Sequence, residues 1–218
     1  MNTAAIIVAG GIGERFGSYP KQFQILGRKM VIDYSIEVAL RVVDQVVVVL
    51  PYEFMERYTT ELTNMGVHNL ALGGNTRSES VRNGLKLVEP TVQKVLVHDA
   101  ARPLASKILF EKVLSKLNEG EKAVVPTIEV TDTVKRISKK YVDRTLDRSV
   151  LGLAQTPQGF DKNLLQMAHE SFGNATDDST LVELLGYTVA VVPGEVENIK
   201  ITKPFDLIVA QMILDRQN

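Results

Sequence analysis

Arg15, Lys21 and Lys200 are cations, and Asp99 is a carboxylate, each placed where phosphate chemistry could use it. Arg15 and Lys21 belong to a run, residues 6–21, reading Ile-Ile-Val-Ala-Gly-Gly-Ile-Gly-Glu-Arg-Phe-Gly-Ser-Tyr-Pro-Lys. A glycine-rich loop exposes backbone N–H groups that can close on phosphate oxygens, because no Cβ stands in the way. Two fixed positive charges beside it point to a polyphosphate, and so to a nucleotide. Asp99 lies in Val97-His98-Asp99-Ala100-Ala101-Arg102-Pro103, at the end of another apolar run. Ligand sites in α/β sheets lie beyond the carboxyl ends of the strands, where a carboxylate could hold Mg²⁺ against phosphates. Alone, Asp99 reads as a helix cap or a salt-bridge partner of Arg102; beside the first loop, the ligand reading is stronger. Lys200 interrupts the apolar run around Ile199 and Ile201. A buried ammonium is costly unless paired, and a phosphate would pair it. Taken by itself, Lys200 reads as an edge-strand lysine facing solvent.

Other motifs are weaker. Gly11-x-Gly13-x-x-x-Gly17 is similar to a dinucleotide-binding pattern. Against it, Pro20 would disturb a helix begun there, and the second strand ends Val49-Leu50-Pro51 without the acidic residue that grips a ribose. No Gly-Lys-Ser/Thr is present, so a Walker-type loop also fails. Gly73-Gly74-Asn75-Thr76-Arg77-Ser78-Glu79-Ser80 follows a strand-like run. Its glycines permit close approach to a ligand, while Thr76 and Glu79 have the spacing of a capping box. Asp177-Asp178 could bind metal, and reads better as the cap of a helix over 178–185. His68, His98 and His169 show no metal-ligand spacing, and no serine elbow is present.

These residues need a frame. Apolar runs at 4–9, 45–50, 93–98 and 122–126 read as buried strands. Amphipathic stretches at 31–40, 53–65, 77–88 and 106–118 read as helices between them, which predicts an α/β sheet covered on both faces. Further helices are predicted near 161–172, 178–185 and 204–216, with a strand at 187–192. Residues 129–149 alternate and carry many charges; they read as an exposed β-hairpin turning at Ser138-Lys139-Lys140. Such an arm is marginal alone and packs on something, a second subunit being one candidate.

The 218 residues suffice for a core without staples, and one domain with an arm is expected. Net charge is −1, so nothing global points to nucleic acid or an anionic membrane. With no cysteine, disulfides and thiol catalysis are excluded. No apolar stretch approaches the ~20 residues that span a bilayer, and no signal-type segment opens the chain. The expectation is a cytoplasmic protein.

Taken together, the motifs resemble the 2-C-methyl-D-erythritol 4-phosphate cytidylyltransferases of non-mevalonate isoprenoid synthesis. The resemblance runs almost end to end. It is carried by Ala9-Gly10-Gly11-Ile12-Gly13-Glu14-Arg15-Phe16, Pro20-Lys21-Gln22, Gly73-Gly74-x-x-Arg77-x-x-Ser80-Val81 and His98-Asp99-Ala100-Ala101-Arg102-Pro103. Asp132-Thr133-Val134-Lys135, Asp147-Arg148, Gln155-Thr156-Pro157-Gln158, Thr176-Asp177-Asp178 and Asn198-Ile199-Lys200-Ile201-Thr202 complete it. It implies a Rossmann-like nucleotidyltransferase fold, with a mixed, mostly parallel sheet and a β-arm that clasps a partner in a homodimer. It also implies CTP and a polyol phosphate as substrates, with Mg²⁺. Ala9, Gly10, Gly11 and Gly13, with Gly74, Asn75 and Ser80, would surround cytosine and ribose. Arg15 and Lys21 would bind the triphosphate. Asp99 would meet the metal and the sugar phosphate. Arg102, Thr156, Thr176 and Lys200 would line the acceptor pocket, and Thr133 and Arg148 would enter the partner's site. The chain departs from the family at Gly10, where alanine is frequent, at Asn75, where aspartate is common, and at Gly152, where tryptophan often stands. Its Ala-Gly-Gly-Ile-Gly start is also similar to the sister family, the ribitol-5-phosphate cytidylyltransferases. Ala101, where that family commonly has valine, and the run Ser80-Val81-Arg82-Asn83-Gly84-Leu85 favour methylerythritol phosphate.

Overall fold

The computed structural model describes residues 2–10 and 20–217. Residues 11–19, which include Gly11, Gly13 and Arg15, therefore lie outside the described residues.

β1 (Thr3–Val8) is followed by a 3-10 turn at Lys21–Phe23 and a small ribbon of β2 (Ile25–Leu26) and β3 (Lys29–Met30). Then α1 (Val31–Leu40), β4 (Gln45–Leu50), α2 (Tyr52–Asn64), β5 (Asn69–Leu72), α3 (Arg77–Leu85), β6 (Lys94–Asp99) and α4 (Lys107–Asn118) alternate. The second half runs β7 (Ala123–Glu129), β8 (Lys135–Ser138), β9 (Tyr141–Thr145), β10 (Gly152–Ala154) and β11 (Gln158–Asp161). It ends with α5 (Lys162–Ser171), α6 (Asp178–Leu184), β12 (Ala190–Pro193) and α7 (Pro204–Gln217).

The main sheet has the order β10-β7-β11-β6-β1-β4-β5, with β12 also paired to β7. The strands β6, β1, β4 and β5 are parallel, while β11 inserts antiparallel between β6 and β7. Every residue of β4, Gln-Val-Val-Val-Val-Leu, is buried, as a strand covered on both faces requires. Alternate residues feed two cores. Ile7 joins Ile36 of α1, Phe54 of α2 and Phe110 of α4 on one face. Ile6 joins Val81 of α3, Leu165 of α5 and Val182 of α6 on the other.

Local chemistry sets the helix starts. Ser106, Asp161 and Asp177 accept from the N–H groups of Leu109, Leu164 and Thr180, each a cap of about 1 kcal/mol. Asp206 accepts from Thr202 and Lys203 N–H at the start of α7. The Thr76–Glu79 capping box is only half formed. Thr76 accepts from Glu79 N–H at 3.1 Å, but the Glu79 carboxylate turns to Asn75 N–H at 2.7 Å.

The hairpin forms where the alternation placed it, as a separate two-stranded sheet, β8 with β9. Lys139 takes a positive φ of 55° in its turn. Ile137, Tyr141 and Val142 on it are exposed. Among the described residues, no helix is long and apolar enough to cross a membrane.

Candidate active site

The parallel strands deliver their carboxyl ends to one pocket, lined by Ala9, Lys21, Gly74, Asn75, Ser80, Asp99 and Lys200 among others. This is the crevice position that open α/β sheets offer to ligands. Several local contacts build it. Ala9 N–H donates to Val49 O and Gly73 N–H to Leu50 O, so the chain leaves both strands side by side. A Cβ on Gly73 would sit 2.7 Å from Gly10 Cα, so this crossing of two backbones requires glycine. Ser80 Oγ accepts from Gly74 N–H and donates to Thr76 O, both at 3.0 Å, which tightens the second loop against α3.

Lys21 is held by its neighbours. Gln22, buried, donates Nε2 to Ala9 O at 2.7 Å. Phe23 stacks on Phe54 and Tyr58, with ring centroids 4.0 and 5.0 Å apart. These anchors tie the turn to the end of β1 and to α2, leaving Lys21 on the pocket wall.

Another part of the lining is ionic. Asp99 accepts from Arg77 Nε at 3.0 Å and from Lys200 Nζ at 2.6 Å. Burial alone would raise the Asp99 carboxyl, but Arg77 and Lys200 outweigh it and hold it well below the usual carboxylate range. Arg77 also reaches the buried Asp178 through Nη1 at 2.7 Å. Burial disfavours its charge, and the two carboxylates outweigh that burial, keeping Arg77 firmly cationic.

Behind Asp99 a neutral relay fixes the loop. Asp99 N–H donates to Thr156 Oγ1 at 3.1 Å, and that hydroxyl is 3.0 Å from His98 Nδ1. The other ring nitrogen, Nε2, lies 3.1 Å from Arg102 O. A carbonyl only accepts, so Nε2 carries the proton and Nδ1 accepts from Thr156. Burial pushes His98 down to about 4, which keeps it neutral. Arg102 donates to Asn198 O at 2.7 Å and Ala154 O at 3.3 Å. Its Nε is buried without a partner.

Of the residues expected from the sequence, Ala9, Lys21, Gly74, Asn75, Ser80, Asp99 and Lys200 line the pocket. Gly10 meets Gly73 beside it, and Thr156 and Arg102 stand just behind. Thr133, Arg148 and Thr176 are exposed and do not line it. Lys200 is not an edge-strand lysine; residues 197–202 form no strand, and its ammonium is paired with Asp99. Nor does Asp99 form a salt bridge with Arg102; its ion pairs are with Arg77 and Lys200. Asp177 caps α6, whereas Asp178 serves Arg77 instead. Arg77 stands inside a family motif without an assigned role, and Asp178 reads, with Asp177, only as a cap or metal ligand; the two meet across 101 positions, beyond the reach of local patterns.

Among the described residues, Asp99 is the one carboxylate lining the pocket, and no cluster of three metal-ligating side chains occurs. Each carboxylate oxygen keeps a further lone pair beside the cation it accepts from. That donor set fits Mg²⁺ arriving with most of its ligands, since the ion accepts one carboxylate with phosphate oxygens and water.

A sheet of this topology, with backbone glycines, cations and one paired carboxylate at its strand ends, defines an enzyme of the nucleotidyltransferase class. Residues 3–216 match the family model IspD, 2-C-methyl-D-erythritol 4-phosphate cytidylyltransferase, and the chain belongs to that family. A relative with that family's name from Nocardia farcinica is 39% identical, covering 99% of this chain and 95% of its own. One from Streptomyces avermitilis is 38% identical, covering 99% and 92%. The solved 4-diphosphocytidyl-2C-methyl-D-erythritol synthase of Anaerococcus prevotii superposes with a TM-score of 0.87 at 33% identity, covering 98% of this chain and 96% of its own. The 2-C-methyl-D-erythritol 4-phosphate cytidylyltransferase of Thermus thermophilus gives 0.81 at 33% identity, covering 97% and 98%.

Proposed function

We propose that this chain moves CMP from CTP onto 2-C-methyl-D-erythritol 4-phosphate, releasing pyrophosphate. The observation that carries the reading is the pairing of Lys200 with Asp99 in the same pocket that Lys21 lines. An oxygen of the acceptor phosphate attacks the α-phosphorus of CTP. The new P–O bond forms as the bond between the α-phosphorus and the bridging oxygen breaks, and pyrophosphate carries that electron pair away. An acceptor phosphate is already ionised near neutral pH, so the reaction needs alignment and charge neutralisation more than a general base. Neutral His98, engaged at both ring nitrogens, agrees with that requirement.

Ala9, Gly10, Gly11 and Gly13, with Gly74, Asn75 and Ser80, surround cytosine and ribose. Arg15 and Lys21 bind the triphosphate, and Lys200 faces the charge that develops at the α-phosphorus. Asp99, together with phosphate oxygens of CTP, would hold Mg²⁺, which when bound would supply neutralisation of triphosphate charge. Arg102, Thr156 and Thr176 surround the acceptor with Asp99. Thr133 and Arg148 act from the arm in the site of a second copy, so the working enzyme is a cytoplasmic homodimer. The exposure of both residues, away from their own pocket, supports this assignment.

The test is phosphorus NMR of CTP and Mg²⁺ with methylerythritol phosphate. A new diphosphate diester and free pyrophosphate, formed only with acceptor present, are expected. Acceptor-independent loss of CTP, or no reaction, would overturn the reading.

A further inference from the structure

The ionic wall of the pocket continues inward, through Arg77, to a residue that does not line the pocket itself. Asp178, at the first turn of α6, is fully buried. Its Oδ2 accepts from Arg77 Nη1 at 2.7 Å, and its Oδ1 accepts from His169 Nε2 at 2.9 Å. Its own N–H donates to Gln158 Oε1 at 3.2 Å, so the carboxylate has a fixed base. Arg77 then passes Nε to Asp99, whose other oxygen takes Lys200. The guanidinium is a rigid plane gripped at separate nitrogens by two carboxylates. Its remaining nitrogen, Nη2, is buried without a partner.

His169 is unusual for its surroundings. Its side chain is 1% exposed, on the face of α5 that carries Leu165 and Ala168 into the core. Its Nδ1 has no hydrogen-bond partner. A buried polar atom left unpaired costs stability, so an apolar side chain would serve packing better. The imidazole's one hydrogen bond, from Nε2, goes to Asp178.

We propose that Asp178 and His169 are positioning residues for cytidylyl transfer, holding Arg77 in the orientation that pins Asp99 and so places the Lys200 ammonium over the pocket. The inference rests on the reaction proposed above. Without the His169 donor, Oδ1 of Asp178 turns to the nearest strong donor, the guanidinium, and Arg77 is drawn off Asp99. Asp99 then keeps Lys200 to itself, and the ammonium is less available to phosphate. Only the Arg77 side chain moves, while the backbone contacts of Gly74 and Asn75 with Ser80 and Glu79 are kept, so the defect falls on turnover rather than on CTP binding.

The test uses the full chain and measures kcat, the KM of each substrate and Tm for H169L, H169M and H169Q. With H169L or H169M, kcat falls about tenfold while the KM for CTP stays within about twofold, the split expected when alignment alone is lost. Their Tm falls, because Asp178 Oδ1 loses its donor, but a loss of stability alone leaves the KM for CTP and kcat of the folded enzyme unsplit. H169Q keeps a donor near the Nε2 position and recovers most of kcat. Wild-type kcat in whichever of H169L and H169M folds would overturn the proposal, as would a loss that H169Q does not recover. If both leucine and methionine variants unfold, H169Q still decides: near wild-type turnover supports the donor role, and a tenfold loss removes it. Absence of transfer by the wild-type enzyme would instead overturn the reaction, and the positioning role with it.

Discussion

The pocket wall and the β-arm are built on opposite principles. At Asp99, a buried carboxylate is paired through contacts between residues far apart in sequence; the half-buried Arg77 and the more exposed Lys200 both converge on it. On β8 and β9, charges are exposed and paired locally, as in Arg136 with Asp143 at 2.6 Å. A buried charge is held by a geometry that costs several kcal/mol to disturb, whereas exposed pairs contribute ~0–1 kcal/mol. The wall is therefore preorganised by the chain's own fold. The arm, a separate two-stranded sheet with Ile137, Tyr141 and Val142 exposed, has no comparable core beneath it.

The largest effect should follow from breaking the wall. R77L leaves Asp99 and Asp178 buried without their shared cation, and should lose about 4 kcal/mol of stability in denaturant titration. A loss below about 1 kcal/mol would place this network with the exposed pairs. K21A should next lose about a hundredfold in kcat, or roughly 3 kcal/mol, while circular dichroism and Tm stay those of the wild type. Near-normal turnover would remove Lys21 from the chemistry.

His98 sharpens the contrast through pH. Its folded value of about 4 lies below the ordinary value of 6.5, so the unfolded chain binds the extra proton between them. Stability from this residue is complete above 6.5 and falls as pH drops toward 4. Between about pH 7 and pH 5 the wild type should lose about 2 kcal/mol that H98Q does not. Equal acid sensitivity in the two proteins would contradict a neutral buried relay. The smallest effect belongs to the arm. R148A should raise the acceptor KM about tenfold, the worth of one charge-assisted bond, and leave CTP binding and Tm unchanged. Unchanged acceptor use would separate the arm from the site.

Much of the frame was legible because it is repetitive. The unbroken Val46–Val49 run announces a central strand, and Asp161 and Asp177 stand at helix starts as cap residues. β10 and β11 were not legible. Gly-Leu-Ala and Gln-Gly-Phe-Asp are too short to show a period, and long-range pairing with β7 and β6 makes them strands. Gly152 falls in the first of these, where a Cβ would stand 3.0 Å from Thr127 Cβ; the departure lies in sheet packing beside the arm. Taken by itself Lys200 reads as an edge-strand lysine for the same reason, since its partner Asp99 is 101 positions away; only the motif around it points to the pocket it lines. Gly10 and Lys21 could be placed because one short run carries them, whereas the ionic wall exists only once the sheet closes.

The measurement that tests the central claim most directly is kcat/KM for pyrophosphate release with methylerythritol phosphate and ribitol 5-phosphate, each with CTP and Mg²⁺ under one set of conditions. The account predicts turnover predominantly with methylerythritol phosphate. Preference for ribitol 5-phosphate would contradict it, leaving the fold and the transfer chemistry in place but assigning the pocket to another polyol.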